Sequence, residues 1–490
     1  METVNYTKHI SALILISIIG MPCFSQFHYS DQEQNIQNRI LDLTWNNTHS
    51  IENNSTNGIR FWLHGYQAFI FQITSPARLS NDSTLQVIQK MEQHIFELDS
   101  ESPYFHYCLA DLCLMQSYLY FLDDELLTAL TAFWKAKRHY SSNTEKFPGF
   151  LPNQKHQFID KAVMDRLNDV FANKKETTQP IGENPLTSFW HATLLKSAQD
   201  LALNREIKLL GFLVEASFDG NPTIVGSNEL DEILHDTSKG PLESFAIQMA
   251  LKKNEHYIKQ LQVLNQADSL GFNQRLNILN LYLGVAYLNQ INPRAEMYLR
   301  EFLKHQQKEN LVAYAQLKLS WFYLLNDKME FQNCLQKIND VSNPRTLEDK
   351  QAKYEIVHVS GWNQGLIKSR LLFDGGDYRQ SVTELLKMKH ELPMLSKGQK
   401  LEYAYRLARS YDKLCDYGKA VKFYQMVVNS EPQSEFYYPA YAAYYLAGVY
   451  LKLNKPDEAK VYFNACLQKD SPIYKSAIHR KAKESLRQLN

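Results

Sequence analysis

Two stretches of this sequence carry residue types that act as nucleophiles, bases or metal ligands in enzymes. Ser410–Lys413 matches the S-x-x-K arrangement, in which a lysine can activate a serine. Tyr411 falls at a packing position of a repeat described below, which predicts that the match lies in the middle of a helix. His390–Glu391 begins like a zinc motif, but Pro393 ends the helix that such a motif needs. We predict that neither stretch is catalytic.

Other enzyme motifs are incomplete or missing. Asp374–Asp377 places two aspartates around two glycines but lacks the alternating acidic ligands and terminal glutamate of a calcium loop, so a turn is expected. Superhelical lytic transglycosylases follow a catalytic Glu-Ser pair with a glycine-rich lysozyme-like domain, and Glu243–Ser244 has no such context. The fifteen histidines are dispersed without metal-binding pairs. We therefore predict a protein that is not an enzyme and holds no metal or cofactor.

Arginine and tyrosine recur at a spacing of 39 residues near the carboxyl end. Arg370 and Arg409 are separated by this interval, and so are Tyr405 and Tyr444. An arginine presents a planar fork of donors that matches a carboxylate, and a tyrosine presents a flat apolar face with a polar tip. The constant spacing indicates that the elements carrying these side chains are themselves repeated.

Composition limits the class of protein. The 490 residues include 53 Lys and Arg against 53 Asp and Glu, so the chain as a whole has no electrostatic preference for nucleic acid or anionic lipid. We therefore expect no nucleic-acid partner. Hydrophobic residues make up 44% and aromatic residues 12%, which excludes a largely disordered chain. The length favours more than one core.

The amino terminus has the pattern of a secretory signal peptide. Lys8 precedes an uncharged run whose apolar centre spans about ten residues, too short for a bilayer that takes about 20. Cleavage after Ser25 is preferred. Lipidation at Cys23 is an alternative, although Pro22 stands where a lipobox has a small residue, and an uncleaved buried helix is another. We predict export to the periplasm or cell envelope, with no membrane span after signal removal.

Cysteine usage gives little support to a disulfide framework. Five cysteines follow Cys23, an odd number without close metal-ligand pairs. We expect them to be small buried apolar side chains. They are Cys108, Cys113, Cys334, Cys415 and Cys466.

Helical periodicity runs along nearly the whole mature chain, interrupted by short polar breaks. Residues 173–184 and 219–240 resemble joints, and Phe218–Val225 is the one candidate for extended structure. The predicted helices are Asn57–Thr74, Leu85–Leu98, Tyr104–Phe121, Glu125–Tyr140, Pro185–Leu203, Glu206–Ala216, Pro241–Leu251, Leu276–Leu288 and Arg294–His305. The predicted regions are a signal peptide at 1–25, a degenerate helical region at 26–175, a middle repeat region at 185–340 and C-terminal repeats with a capping helix at 341–490.

Three segments near the carboxyl end align at the 39-residue spacing. Each has a small residue three before an aromatic or apolar one, a second small residue later, and then another aromatic or apolar residue. The middle copy has Leu407, Ala408, Tyr411, Ala420, Tyr424 and Pro432, and the last copy has Leu446, Ala447, Tyr450, Ala459 and Phe463. This pattern resembles the tetratricopeptide repeat. Stretches such as 318–325 and 370–378 also look like exported bacterial tetratricopeptide proteins of uncharacterised function.

The resemblance implies an all-α fold of antiparallel helix pairs stacked into a right-handed αα superhelix. Small residues let the paired helices approach closely, and Tyr411 and Tyr424 fill the gap between pairs. Pro432 is expected to end the second helix. The spacing exceeds the 34 residues of the standard repeat, so either the helices or the connection near 433–439 is lengthened. The basic helix Lys475–Leu489 is expected to cap the stack.

In this repeat family the first helix of each pair lines the concave binding surface. Transferred to this sequence, the resemblance implies partner-binding candidates on three successive helices. They are Arg370, Tyr405, Arg409, Lys413, Tyr444 and Lys452. The carboxylate clamp of chaperone-binding members is not reproduced, because Gly448 stands where its asparagine is expected. An ordinary solvated face with some tyrosine packing is the alternative interpretation.

These observations predict a non-catalytic exported scaffold that binds a protein or peptide partner in the cell envelope. The alternative is an exported protein that holds a glycan or small molecule on the tyrosine-rich stretch 437–445. Peripheral membrane association through the basic C-terminal helix is a secondary expectation.

Overall fold

The computed structural model describes residues 26–44, 56–75, 81–123, 125–150, 152–153, 155–156, 240–307, 309–326, 329–342, 344, 346–358, 362–430, 436–471 and 475–489. The predicted signal peptide, the joint at 173–184, the helices Pro185–Leu203 and Glu206–Ala216, and the stretch Phe218–Val225 lie outside these residues. So does the joint at 219–240 except for Gly240. The chain divides into two compact units, with the described residues before 157 in unit 1 and those from 240 onward in unit 2.

The described residues form twenty α-helices and no strand. Unit 1 contains α1 Asp31–Leu41, α2 Gly58–Thr74, α3 Asn81–Phe96, α4 Pro103–Leu122 and α5 Leu126–Lys146. Unit 2 begins with α6 Pro241–Lys253, α7 Tyr257–Ser269, α8 Phe272–Arg275, α9 Ile278–Asn289, α10 Arg294–His305, α11 Val312–Leu325, α12 Glu330–Asp340 and α13 Leu347–His358. It continues with α14 Gln364–Asp374, α15 Tyr378–Lys387, α16 Lys397–Lys413, α17 Tyr417–Val428, α18 Tyr438–Lys452, α19 Pro456–Gln468 and α20 Lys475–Gln488.

The predicted all-α fold of packed helix pairs is confirmed. α10 has the predicted bounds, and α2 and α4 agree to within one residue at each end. α5 continues to Lys146, six residues beyond the predicted end, because polar residues also fit an exposed helix face. α13 was not among the predicted helices, and its apolar residues show no clear helical stripe that would have identified it.

Unit 2 is a stack of helix pairs in which the two helices of a pair pack against each other and most helices also pack against the next one. The first helices of successive pairs, α9, α11, α14, α16 and α18, also contact one another along the stack. α9 contacts α14 in addition to α11, and Asn289 donates its side-chain amide to the backbone carbonyl of Asp374. The first helices are therefore covered on several sides by other helices.

The turns inside the pairs share one backbone feature at the repeat spacing. Gly376, Cys415 and Asn454 all have positive φ, at 86°, 59° and 56°. A left-handed residue reverses the chain after a helix, and it is cheapest for glycine. Asp377 and Asp416 then accept backbone amides at the start of α15 and α17. The stretch Asp374–Asp377 is thus a turn between repeat helices, as predicted.

The extra length of the repeat lies in the connections between pairs. α17 ends at Val428 and α18 begins at Tyr438. The preceding connection, between α15 and α16, is shaped by two short 3-10 turns at Met388–His390 and Leu392–Met394. α17 ends at Val428 with Asn429 as its C-cap, and Pro432, which was predicted to end this helix, lies outside the described residues.

Small residues occupy the helix crossings. Ala408 and Ala420 are fully buried, and Tyr424 fills the space beside them. Three fully buried serines connect three helices by hydroxyl hydrogen bonds: Ser369 to Ser381 at 2.8 Å, and Ser381 to Ser410 at 3.1 Å. Ser410 is therefore a packing residue with its hydroxyl engaged, which argues against the nucleophile of an S-x-x-K site.

Unit 1 is organised around a buried carboxylate on α4. Asp111 accepts hydrogen bonds from the indole of Trp62 at 2.8 Å and the ammonium of Lys155 at 2.8 Å, and it contacts Nε2 of His156 at 3.2 Å. Burial opposes ionisation of Asp111, but Lys155 and His156 together outweigh it and hold the pKa of the carboxyl well below its usual range. This network attaches residues 155–156 to the core of unit 1.

Within the described chain the five cysteines are free thiols, and all except the exposed Cys415 are buried. The burial of the other four agrees with the predicted role as small apolar side chains, whereas the exposed Cys415 departs from it. No described helix combines the length and apolar character needed to cross a bilayer.

Gly284 on α9 and Gly448 on α18 test the close approach of paired helices. A Cβ on Gly284 would lie 2.8 Å from Cγ and 3.0 Å from the backbone N of Leu299, whereas one on Gly448 would meet nothing within 4 Å. We expect Gly284→Ala to lower the free energy of unfolding by about 1–3 kcal/mol through overpacking. Gly448→Ala should raise it by up to about 1 kcal/mol. Urea unfolding of both variants measures this, and equal effects would contradict the packing account.

Candidate functional site

A cavity of about 150 Å³ lies between α14, α16 and the start of α18 in unit 2, and four of its lining residues are charged. We call it the arginine cavity, because three guanidinium groups contribute to its wall. Its lining residues are Arg370, Phe373, Asp374, Tyr405, Arg406, Arg409 and Tyr437. The structure thus brings together three of the six predicted binding residues, Arg370, Tyr405 and Arg409.

Local sequence sets the register of the helices that form this cavity. The side chain of Asn363 caps α14 by accepting from the backbone N of Leu366. Ser396 and Gln399 form a capping box at the start of α16. Arg406 and Arg409 are three residues apart on α16, so both side chains project from the same side of that helix.

Arg370 is held by a carboxylate from α13. Its two terminal nitrogens donate to the two oxygens of Glu355 at 2.9 and 2.8 Å, and its guanidinium lies 4.5 Å from the ring centroid of Trp321. Burial raises the pKa of Glu355, but Arg370, Lys318 and Gln351 together outweigh burial and hold that pKa below its ordinary value. Arg370 is therefore part of a buried bidentate ion pair.

Arg406 is paired in a similar way, within its own helix. Its Nε donates to Glu402 at 2.6 Å, and both side chains are largely buried. Glu402 also lines a second cavity of about 40 Å³, which adjoins the arginine cavity through Arg370 and Tyr437. The charge of Arg406 is thus compensated one helical turn away.

Arg409 differs from both neighbours, because it has no ion pair with any described carboxylate. Its guanidinium carbon lies 3.7 Å from the ring centroid of Tyr445 and 5.1 Å from that of Phe373. One terminal nitrogen donates to the hydroxyl of Tyr405 at 3.3 Å, and its Nε is buried without a hydrogen-bond partner. Aromatic rings and one phenol therefore hold this cation in place.

Tyr405 and Tyr444 do not form one aromatic platform. Tyr405 is buried and packs against Tyr438, with ring centroids 5.3 Å apart. Tyr444 is half-buried and packs against Phe463 of α19 at 5.6 Å. The two side chains occupy equivalent repeat positions, and each fills a space between helices, so the structure separates them.

The two predicted lysines are engaged in ion pairs. Lys413 pairs with Glu255, which lies in the turn between α6 and α7 and also accepts from the hydroxyl of Tyr378. Lys452 pairs with Asp412 at 2.7 Å. Lys413 therefore connects the end of α16 to the first helix pair of unit 2, and Lys452 connects α18 to α16.

Four residues of this region were not among the predicted site residues. Glu355 belongs to the unpredicted α13, and Tyr437 precedes α18. Arg406 could have been found from its position three residues before Arg409. Lys318 could have been found as the one charge in the apolar run 317–322 of α11.

Lys318 is almost fully buried, with its ammonium 3.8 Å from the ring centroid of Trp321 and 5.1 Å from that of Tyr314. Burial and then repulsion by Arg370 lower its pKa to about 7. Burial also lowers the pKa of Lys252 on α6, partly offset by attraction to Asp374. Within the described chain neither lysine has a carboxylate at ion-pair distance. No cluster of three metal-binding side chains occurs among the described residues.

The buried Lys318 predicts a specific pH dependence of stability. The unfolded chain keeps this proton up to a pKa of about 10.4, whereas the folded chain releases it at about 7. Between these values the unfolded state binds more protons, so stability rises with pH, by at most about 1.4 kcal/mol per pH unit. Lys318→Met should remove this contribution. Urea unfolding of both proteins at pH 7, 8 and 9 measures the difference, and identical slopes would contradict it.

The Arg370–Glu355 pair predicts a non-additive mutational effect. Arg370→Met leaves the buried carboxylate of Glu355 without its cation, so we expect a loss of about 3–5 kcal/mol in the free energy of unfolding. The double variant Arg370→Met/Glu355→Leu removes both charges and should recover most of that loss. Chemical denaturation of the two variants tests the coupling, which would be refuted by equal losses in both.

Comparison with known proteins agrees with this architecture. A family model of the tetratricopeptide repeat matches residues 402–434 and 441–471. Among curated proteins none matches the chain.

Two solved structures have low similarity to this chain. The human IFIT1 dimer with PPP-AAAA is 14% identical, with 90% of this chain and 95% of that chain covered and a TM-score of 0.31. The APC/C hetero-tetramer Cut9-Hcn1 is 13% identical, with 88% and 85% covered and a TM-score of 0.23. At these TM-scores neither structure bears on what this chain binds.

The matched segments begin within α16 and end just after α19, so they contain the two helix pairs that follow α15. Their small residues, aromatic fillers and turns are those described above. Residues 402–434 and 441–471 therefore match the tetratricopeptide repeat both in sequence and in their arrangement of helix pairs.

Proposed function

We propose that this protein is a non-catalytic exported scaffold that binds a protein or peptide partner in the cell envelope. The helical-repeat architecture supports a role in recognition, because stacked pairs hold side chains of successive first helices at fixed positions. The proposed binding surface is the part of unit 2 that surrounds the arginine cavity.

The proposal depends most on one observation, that Arg409 has no ion pair with any described carboxylate. A cation shielded from water costs free energy when it has no counter-ion; Arg409 is half-buried with its Nε fully buried, and no described carboxylate pairs with it. Its neighbours Phe373 and Tyr445 keep it in a fixed position, and Tyr405 accepts only one of its donors. A preorganised donor beside a cavity is suited to a group supplied by a partner.

The proposed export is supported by the first 25 residues, which combine an early positive charge with a short apolar core. The proposed absence of catalysis is supported by the contacts of the S-x-x-K stretch. Ser410 is buried in a chain of serines, and Lys413 pairs with Glu255.

A protein or peptide partner is favoured over the other ligand classes. The zero net charge of the chain gives no general attraction to nucleic acid. The five tyrosines at 437, 438, 441, 444 and 445 are all buried or half-buried. They therefore do not present the exposed flat faces that a glycan-stacking surface would use.

Affinity capture tests the proposal. Residues 26–490 serve as bait in envelope extract, beside the variant Arg409→Glu/Lys413→Glu. Arg370 is left unchanged, because its partner Glu355 is buried and reversal would enclose two carboxylates together, whereas the pair of Lys413 with Glu255 is more exposed to water. We expect a protein retained by the unaltered bait to be reduced at least tenfold with the variant.

A matched control is Lys389→Glu/Lys422→Glu, which changes net charge equally at two exposed lysines. It should retain the partner, and circular dichroism should show that all three baits are equally helical. Equal capture by the two charge-reversed baits would contradict the proposed surface. Retention of nucleic acid without protein would contradict the proposed class of partner.

A further inference from the structure

We propose that the arginine cavity binds one oxyanion group of the partner, a carboxylate or a phosphate, and that Arg409 is the residue that holds it. This inference rests on the proposed function, because it names the chemistry that the same surface recognises. It goes further by assigning one cavity, one ligand class and one principal donor.

The first argument is the distribution of charge. Of the three guanidinium groups in the cavity wall, Arg370 and Arg406 have carboxylate partners in Glu355 and Glu402, and Arg409 has none among the described residues. Asp374 is the carboxylate that the wall itself contributes.

The charge of Asp374 is already shared by nearby cations. It attracts Lys252, Lys318 and Arg370, but it is not among the groups that act most strongly on Arg409. Lys252 and Lys318 have no ion pair within the described chain. The surroundings of the cavity therefore carry positive charge that the described carboxylates do not match.

The second argument is the geometry of Arg409. Tyr445 covers one face of its guanidinium at 3.7 Å, and Phe373 lies 5.1 Å away. A guanidinium whose face is stacked offers its donors along the edge of the plane, in the fork arrangement that oxyanions accept. Tyr405 takes one of these donors, and the buried Nε is without a partner.

The third argument is size. The cavity measures about 150 Å³, and a protein cavity of about 150 Å³ is large enough to bind benzene. A carboxylate or a phosphate group is therefore small enough to enter it. Polar walls with unsatisfied donors distinguish this cavity from an apolar packing defect.

The test uses residues 26–490 and three probes: sodium acetate, sodium glutarate and sodium phosphate. Each is titrated against sodium chloride at equal ionic strength, and the thermal unfolding midpoint is recorded. A ligand that binds only the folded protein raises the midpoint in a saturable way. We expect such a rise with at least one oxyanion, and Arg409→Gln should require at least tenfold more of it. The order of effectiveness among the probes separates a carboxylate source from a phosphate source.

The matched control is Lys422→Gln, which removes one positive charge from an exposed position of α17 and should leave the response unchanged. If Arg409→Gln does not fold, modification of the unaltered protein by phenylglyoxal replaces it. The oxyanion should then protect Arg409 but not the exposed Arg379. No midpoint rise with any oxyanion, an equal rise in Arg409→Gln, or no selective protection would overturn the inference.

These outcomes are separate from those of the capture experiment. If the variant Arg409→Glu/Lys413→Glu loses a captured partner but the protein binds no oxyanion, the proposed scaffold function stands and the oxyanion site is refuted. Oxyanion binding without any captured protein would leave the site and refute the proposed partner.

Discussion

Unit 2 depends on a packing constraint: no helix pair can bury its own apolar face, so each pair is completed by the next. The first helices of the pairs are the most deeply buried. On α11, nearly every residue from Ala313 to Tyr323 is buried, because other helices cover it on several sides. Small residues such as Gly284 and Ala408 follow from the same constraint, since a larger side chain would separate paired helices.

The same constraint explains the unusual chemistry of the buried charges. A polar side chain on a first helix is enclosed whether or not it has a partner, and an enclosed charge requires compensation. Glu355 compensates Arg370 through two hydrogen bonds, and Trp321 lies against the charges of both Arg370 and Lys318. Arg409 is compensated only by aromatic rings and a phenol. The arginine cavity is thus a consequence of how the helices stack and also the place where stacking leaves a charge unmatched.

Some features of the site followed directly from the sequence. The shared spacing of Arg370 and Arg409 predicted equivalent positions on successive first helices, and both side chains line the arginine cavity. The same spacing suggested a common surface for Tyr405 and Tyr444, but these rings pack separately against α18 and α19. Periodicity identifies equivalent positions on helices, whereas the neighbour that each position meets depends on the following pair.

The sequence by itself determined the class of fold, the repeat and the bounds of a few helices in the described chain. These properties depend on local patterns: helical periodicity, capping residues such as Ser396 and Asp416, and small residues at crossings. Only the tertiary structure decided which charged side chains have an ion-pair partner. Glu355 reaches Arg370 from α13, Glu255 reaches Lys413 across 158 residues, and Arg409 is reached by no described carboxylate. Ion pairing depends on which helices become neighbours in space, and that arrangement is set by the packing of the whole stack rather than by any local pattern.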